Sequence, residues 1–371
     1  MWQKFRQRFR RFGVSAAALG LSVCLAAVPS WTLAQAGSAA VTPLRVITHS
    51  SFDLPKPLLA RFEQEAGVKL QLIQGGDAGE MLNKLILSQA APVADVVYGI
   101  DNTLLPRALA SGILAPFPLV AGSVAQRPAL ARMADTAGPD GVVGGLVPIN
   151  YGYVNLNIDK AWFAQKGLAL PKSLQELSSP AYRGLLVVPN PATSSPGQAF
   201  MLATVAGLGE QAAFDWWARM RANGLKVVKG WSEAYYTEFS RNGGSRPIVV
   251  SYATSPAAEV FYSKEKISAS PTANVFLPGA VFRQVEGAAL LKGASPAAQA
   301  AGVKFIEFLR SPPVQQALQT RLWMYPAEPG TPRDAVLQHA QEPKHSEAVP
   351  LQVLTAQAAH WQRRWTQVVL K

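Results

Sequence analysis

The sequence predicts an α/β protein of two lobes, each a mixed, mostly parallel sheet flanked by helices, with hinge crossovers between the lobes. Three observations carry this expectation. Residues 44–98 run in a β-α-β-α-β order, which implies a mostly parallel sheet covered by helices. Two later apolar runs, 185–188 and 248–250, each lead through a short polar loop into a hydroxyl-Ser-Pro helix start, Ser194-Ser195-Pro196 and Thr254-Ser255-Pro256. About 335 residues follow an N-terminal leader, enough for two separate cores.

The leader is an export signal. Lys4, Arg6, Arg8, Arg10 and Arg11 form its basic region, 14–28 is apolar, and Ala34-Gln35-Ala36 is a cleavage site. Residues 1–36 are therefore expected to be removed, leaving Gly37 as the first mature residue. The apolar run is shorter than the ~20 residues of a membrane span. Arg10-Arg11-Phe12 carries part of a twin-arginine signal, but the general secretory route fits the rest better. The single cysteine, Cys24, lies in the leader behind Val23, a poor residue before a lipidation cysteine. The mature chain thus has no disulfide, no thiolate nucleophile and no cysteine metal ligand. Thirty basic residues then face 23 acidic ones, a formal net charge of +7. These charges are scattered, and nucleic-acid binding, which needs a clustered basic patch, is not expected.

Residues 44–48 read as the first strand. Asp53 is expected to cap a helix whose apolar face is Leu58, Leu59, Phe62 and Ala66, ended by Gly67. Residues 69–73 alternate as a second strand, and Gly75-Gly76-Asp77 is a turn. Asp77 and Glu80 form a capping-box-like pair ahead of Met81, Leu82, Leu85 and Ile86. Residues 94–98 are a third strand ending at Asp101-Asn102. After a glycine-rich stretch (138–145), residues 147–154 read as extended, where a crossover between lobes fits. Ser232 is expected to cap a helix that stops near Gly243-Gly244. A return strand near 284–287 leads to an amphipathic helix bearing Ala301, Phe305, Phe308 and Leu309, interrupted by Pro312-Pro313. In the tail, Leu351, Leu354, Trp361 and Trp365 recur at helical spacing, and the two tryptophans are expected to make core contacts. The expected division is residues 42–146 and 280–320 for the first lobe, 147–279 for the second, and 321–371 as a C-terminal segment of either lobe.

The two hydroxyl-Ser-Pro junctions point to a site. A helix start leaves backbone N–H groups free and carries partial positive charge, which suits a phosphate, carboxylate or hydroxyl ligand. Such starts at strand ends mark the binding edge of an open α/β sheet, although the same pattern also serves ordinary capped helices. No phosphate-loop glycine motif, H-E-x-x-H or G-x-S-x-G is present. Three of the four histidines, His339, His345 and His360 but not His49, lie near the C-terminus and away from the expected cleft loops, so neither a histidine metal cluster nor a serine triad is expected. The loops carry Trp231, Tyr235, Tyr236, Tyr252, Trp323 and Tyr325, whose faces suit flat or cationic organic ligands at about 0.5–2 kcal/mol each.

The motifs are Asp101-Asn102 with the following leucines, Tyr151-Gly152-Tyr153, Thr193-Ser194-Ser195-Pro196-Gly197, Lys229-Gly230-Trp231-Ser232-Glu233-Ala234-Tyr235, Ser251-Tyr252, Thr254-Ser255-Pro256, Gln284-Val285-Glu286 and Trp323-Met324-Tyr325-Pro326, and the match they belong to covers nearly the whole mature chain. Through them the sequence resembles the periplasmic thiamine-binding proteins of ABC importers, with the type II solute-binding fold. The resemblance implies ligand contacts from Asp77, Ala78, Ser194, Ser195, Trp231, Tyr252, Ala253, Thr254 and Ser255, and a stacking role for Trp323. Trp231, Tyr252 and Trp323 would enclose the thiazolium and pyrimidine rings. It further implies thiamine, thiamine monophosphate or thiamine diphosphate as solute, ABC permease subunits as partners, a monomer, a periplasmic location, no catalysis, no cofactor and no metal. His49 and Ala258 stand where the family pattern has tyrosine, and Ala78 where it has glycine, changes that bear on which solute is preferred. A same-fold receptor for ferric iron is the main alternative, since Tyr235-Tyr236 is an adjacent tyrosine pair; polyamine, sulfate-like and phosphonate solutes are others. An enzyme of the thiamine-degrading type would need a cysteine nucleophile, which the mature chain lacks.

Overall fold

The computed structural model describes residues 43–118, 123, 129 and 142–371. The expected leader with Cys24, and residues 138–141 of the glycine-rich stretch, lie outside them. The first run folds in the expected order: β1 (Pro43–Thr48), α1 (Lys56–Ala66), β2 (Lys69–Gln74), α2 (Ala78–Leu87), β3 (Val96–Asp101) and α3 (Leu105–Ser111). β1, β2 and β3 are parallel, with β1 between the other two. All six residues of β3 are buried, as a strand covered on both faces requires. Val46, Val96 and Tyr98 point to a core shared with Phe62 of α1, whereas Ile47 and Val97 point to one shared with Met81 and Leu82 of α2. One expectation fails here. Asp53 does not cap α1; Pro55 holds the N-cap position, and Asp53 pairs with Arg321 instead. The helix start needs no side-chain cap where prolines already remove an orphan N–H.

β4 (Val147–Asp159) is longer than its pattern suggested, and it is the strand that both halves share. It is followed by α4 (Lys160–Lys166), α5 (Leu174–Leu177), β5 (Leu186–Pro189), α6 (Ser195–Leu208), α7 (Glu210–Ala222) and β6 (Lys226–Val228). α8 (Trp231–Glu233) is a single turn, continued by a π-helical turn, Ala234–Glu238. Its N-cap is Gly230, so Ser232 lies inside the turn and does not cap it. β7 (Ile248–Tyr252) is parallel to β5, which is parallel to β6. α9 (Ser255–Phe261), β8 (Thr272–Val275) and β9 (Phe282–Leu290) complete this region. In α6 and α9 the proline occupies the second helical position, after Ser195 and Ser255, where its missing N–H is equally harmless.

The two parallel triplets are joined by antiparallel β9 and β4, giving the order β2-β1-β3-β9-β4-β7-β5-β6 in one continuous sheet. The first half of β4 pairs with β9, and its second half pairs with β7 and β8. Chain therefore passes between the halves along β4 and β9, as hinge crossovers of a two-lobed fold should. The second half has its own core, with Val188, Phe200, Trp216, Trp217 and Val250 in one cluster and Val187, Tyr235, Phe239 and Val249 on the opposite face of the strands.

α10 (Pro296–Leu309) and α11 (Pro312–Arg321) follow β9; Phe305 and Leu309 of α10 enter the core of the first half. β10 (Tyr325–Pro326) pairs with β4. α12 (Leu351–Leu370) then crosses to the second half, where Leu354, Trp361, Trp365 and Val369 are buried. The Trp365 ring meets Trp217 edge-on at 5.5 Å, and Trp361 Nε1 donates to Glu210 at 2.9 Å. The tail tryptophans are core contacts, as expected. No helix among the described residues is long and apolar enough to cross a membrane.

Candidate functional site

Asp77 lies where the halves meet. Gly76, at φ +100, lets the chain turn sharply from β2 into α2, and Asp77 becomes the N-cap of that helix. Its Oδ1 accepts from Ala78 N at 2.7 Å. The rest of the carboxylate is turned toward the other half. Oδ2 accepts from Ser194 Oγ at 2.9 Å and from Trp231 N at 3.0 Å, and Ser195 N approaches Oδ1 at 3.4 Å. The starts of α2, α6 and α8 thus converge on one carboxylate. At α6, the helix-start donors that the hydroxyl-Ser-Pro pattern pointed to face a carboxyl group of the protein itself. Burial raises the Asp77 pKa, against the opposing pull of Trp231 N–H, the Ser194 hydroxyl and Ala78 N–H.

The contact between halves continues beside Asp77. Glu80 N donates to the Thr193 carbonyl at 3.0 Å, and the Glu80 carboxylate pairs with Lys229 at 3.1 Å. Backbones approach so closely that a Cβ on Gly79 would lie 2.7 Å from the Thr193 carbonyl carbon, and one on Gly230 would lie 2.8 Å from Asp77 Oδ2.

A second chain of polar groups runs beneath. Trp231 Nε1 donates to Ser251 Oγ at 2.8 Å, and Ser251 Oγ lies 2.9 Å from Ser255 Oγ. Tyr252 OH donates to Gln284 Oε1 at 2.8 Å; the Gln284 amide donates to Ser195 Oγ at 2.8 Å and to Asp101. Asp101 Oδ1 also accepts from Thr103 Oγ1 at 2.7 Å and from Leu104 N at 2.9 Å. Burial pushes its pKa up to about 6, despite these donors, and the nearby Glu286 charge adds to the rise. Glu286 on β9 accepts from Tyr98 OH at 3.1 Å, and His49 Nε2 lies 3.5 Å from its other oxygen. Burial disfavours both charged forms, but the attraction between them wins, holding the His49 pKa above and the Glu286 pKa below the ordinary values. Ser51 N donates to His49 Nδ1 at 3.2 Å, so the neutral ring carries its proton on Nε2, toward Glu286.

The structure therefore joins Asp77, Ser194, Ser195, Trp231, Tyr252 and Ser255 in one network, with Ala78 donating into it. Ala253 is buried with its N–H bound to the Tyr153 carbonyl at 2.9 Å. Thr254 Oγ1 donates to the Trp323 carbonyl at 2.6 Å. The aromatic residues form two groups. Trp231 stacks on Tyr235 at 5.2 Å and meets Tyr252 edge-on at 6.2 Å, whereas the Trp323 ring packs against Phe261 and Tyr262. Sequence reasoning gave no site role to Tyr98, Asp101, Gln284 or Glu286. A signal was available: Gln284 and Glu286 interrupt a buried strand at alternate positions, so they share one face while Val285 faces the core. Buried polar residues at such spacing need partners and mark a network.

Comparison with known proteins gives the family and the fold. Residues 91–359 match the family model for bacterial extracellular solute-binding proteins. The thiamine-binding periplasmic protein of Escherichia coli (strain K12) is 31% identical over 335 residues, covering 88% of this chain and 93% of the relative. The solved structure of a periplasmic thiamin binding protein superposes with a TM-score of 0.75 at 29% identity, covering 90% of this chain and 98% of that one. The ferric binding protein from Campylobacter jejuni superposes with a TM-score of 0.68 at 17% identity over 88% of this chain and 99% of its own, a likeness of fold alone. This chain belongs to the bacterial extracellular solute-binding protein family.

Proposed function

We propose that the chain is the solute-binding component of an ABC importer, which captures thiamine or a thiamine phosphate between its two lobes in the periplasm and presents the closed form to a membrane permease. One observation carries the reading: the half-buried Asp77 carboxyl and helix starts from both halves meet beside Trp231 and Tyr252, in a chain similar over most of its length to thiamine-binding proteins. Asp77, Asp101 and Glu286 give the site negative charge when ionised, which suits a cationic ring, and aromatic faces add cation–π attraction. The proposed contacts are Asp77, Ala78, Ser194, Ser195, Trp231, Tyr252, Ala253, Ser255 and Trp323, together with Thr254 through its backbone, since its hydroxyl is turned to the Trp323 carbonyl. A phosphate on the solute would compete with the Asp77 carboxylate for the start of α6. In this reading residues 42–146 and 280–320 form the first lobe and 147–279 the second, joined along β4 and β9. The segment around β10 goes with the first lobe and α12 with the second. The protein acts as a monomer and performs no chemistry on its solute.

The iron alternative fits less well. Tyr235 OH donates to Glu259 at 2.8 Å and its ring is buried under Trp231, so one phenol of the pair is already engaged within the protein. Calorimetric titration of the ligand-stripped mature protein with thiamine, its two phosphates and ferric citrate tests the proposal. One-to-one binding of a thiamine form, with no product after prolonged incubation, is the expected outcome. A folded protein that binds only ferric citrate, or that degrades thiamine, would refute it.

A further inference from the structure

Trp323 stands at the residue after the C-cap of α11, with φ +58. That position ordinarily takes glycine, because the left-handed conformation costs a residue with a Cβ. A tryptophan there bears that cost, and something must hold its backbone. Thr254 does so. It is 1% exposed, its hydroxyl caps no helix N–H, and Oγ1 donates to the Trp323 carbonyl at 2.6 Å. The bond ties the turn between β7 and α9 to the segment following α11. The Trp323 ring then meets Phe261 edge-on at 5.4 Å and Tyr262 at 5.6 Å. These two rings lie three and four residues beyond Ala258 and so on the same side of α9.

We infer that Thr254 is a positioning residue: its hydroxyl fixes Trp323 in the left-handed conformation and thereby sets the aromatic wall that Trp323 forms with Phe261 and Tyr262 at the solute site. The inference rests on the proposed function for its binding readout, but not for its conformational one. Two sets of variants test it. In the first, Trp323→Gly and Trp323→Ala are compared without ligand. Both lose the ring, and they differ chiefly in tolerance of positive φ, so the glycine variant should melt higher by roughly 1–3 °C. An alanine variant as stable as the glycine variant would mean the backbone is not held as described. In the second, thiamine affinity is measured for Thr254→Val and Thr254→Ser in the wild-type and Trp323→Ala backgrounds. Thr254→Val should weaken binding about 5- to 10-fold in the wild-type background and under about 2-fold in Trp323→Ala, while Thr254→Ser restores most of the affinity. Equal losses in both backgrounds would mean that Thr254 acts on the ligand directly, and the positioning role would fall. If the wild-type protein bound no thiamine, the proposed function would fail, while the glycine–alanine comparison repeated with Thr254→Val would still decide the conformational claim: the melting difference should shrink without the hydroxyl, and an unchanged difference would overturn it.

Discussion

Asp101 is where burial and charge conflict most directly. It is fully buried, accepts four hydrogen bonds, and still has its pKa raised from 3.8 to about 6. The native state therefore holds this proton more tightly than the unfolded chain does. Below about pH 4 both states are protonated and nothing is lost; above about pH 6 the native state bears the full penalty, on the order of 3 kcal/mol. His49 acts in the same direction, because its raised pKa gives stability that is present below pH ~6.5 and lost as pH rises through the folded value. Glu286 acts oppositely, its depressed pKa giving stability that is lost only as pH falls below about 4.5. The unliganded protein should accordingly melt higher near pH 5 than at pH 7.5, and Asp101→Asn should shrink that difference. An unchanged pH dependence in the variant would remove Asp101 from the account. The ring contacts offer a second test at this scale. Trp231→Ala removes a ring packed with Tyr235 and Tyr252 and the donor to Ser251, and should weaken thiamine binding about tenfold or more by calorimetry. Unaltered affinity would end the role of Trp231 in the enclosure. Asp77, Trp231 and the serines were legible because helix starts have a local signature. Asp101 and Glu286 were not: Thr103 and Leu104 bond Asp101 locally, but the contacts that bring these carboxylates into the network, Gln284 to Asp101 and Tyr98 to Glu286, span more than 180 residues of sequence.

At the level of elements, the contact between α2 and the starts of α6 and α8 depends on glycine at two places. Gly230 has φ −156, which any residue adopts, so alanine there meets no backbone strain; its methyl group meets the Asp77 carboxylate instead. Gly230→Ala should leave the melting temperature nearly unchanged and weaken solute binding about tenfold, the equivalent of about 1.4 kcal/mol taken from the closed form. Combining it with Asp77→Ala, which makes room for the methyl group, should add little further loss. Full additivity of the two would show that Gly230 acts elsewhere. The elements themselves were well marked in the sequence. Alternation in β2, the apolar face of α2 and the tryptophan spacing of α12 gave those elements their type. The failures at Asp53 and Ser232 have one cause: each can cap a helix, but neighbouring proline or glycine started the helix at another residue. The length of β4 was hidden because Asn155 and Asn157 break its apolar pattern, although they are buried and bonded to Asn274.

For the whole molecule, the question is what holds the two halves together. The Glu80–Lys229 pair is partly exposed, and such pairs contribute about 0–1 kcal/mol and weaken with salt. The Asp77 clamp is better placed, with donors from two helix starts on a largely enclosed carboxylate. The halves are connected by the strand pair β4 and β9 and by the segment leading from β10 to α12, so a modest change in the contacts between them can shift the balance between open and closed forms. A ligand moves that balance only by binding the closed form more tightly, and a closed form already populated without ligand lowers the ligand energy that closure consumes. A compact chain of about 335 residues should have a radius of gyration near 20 Å. Small-angle scattering of the unliganded mature protein should therefore give a value close to this. Asp77→Ala should give a larger one, which thiamine only partly reverses, whereas Lys229→Ala should remain near wild type. Raising the salt concentration should mimic Lys229→Ala and leave the Asp77-dependent compaction in place. If Asp77→Ala were as compact as the wild type while binding thiamine more weakly, Asp77 would act on the ligand itself and not on closure.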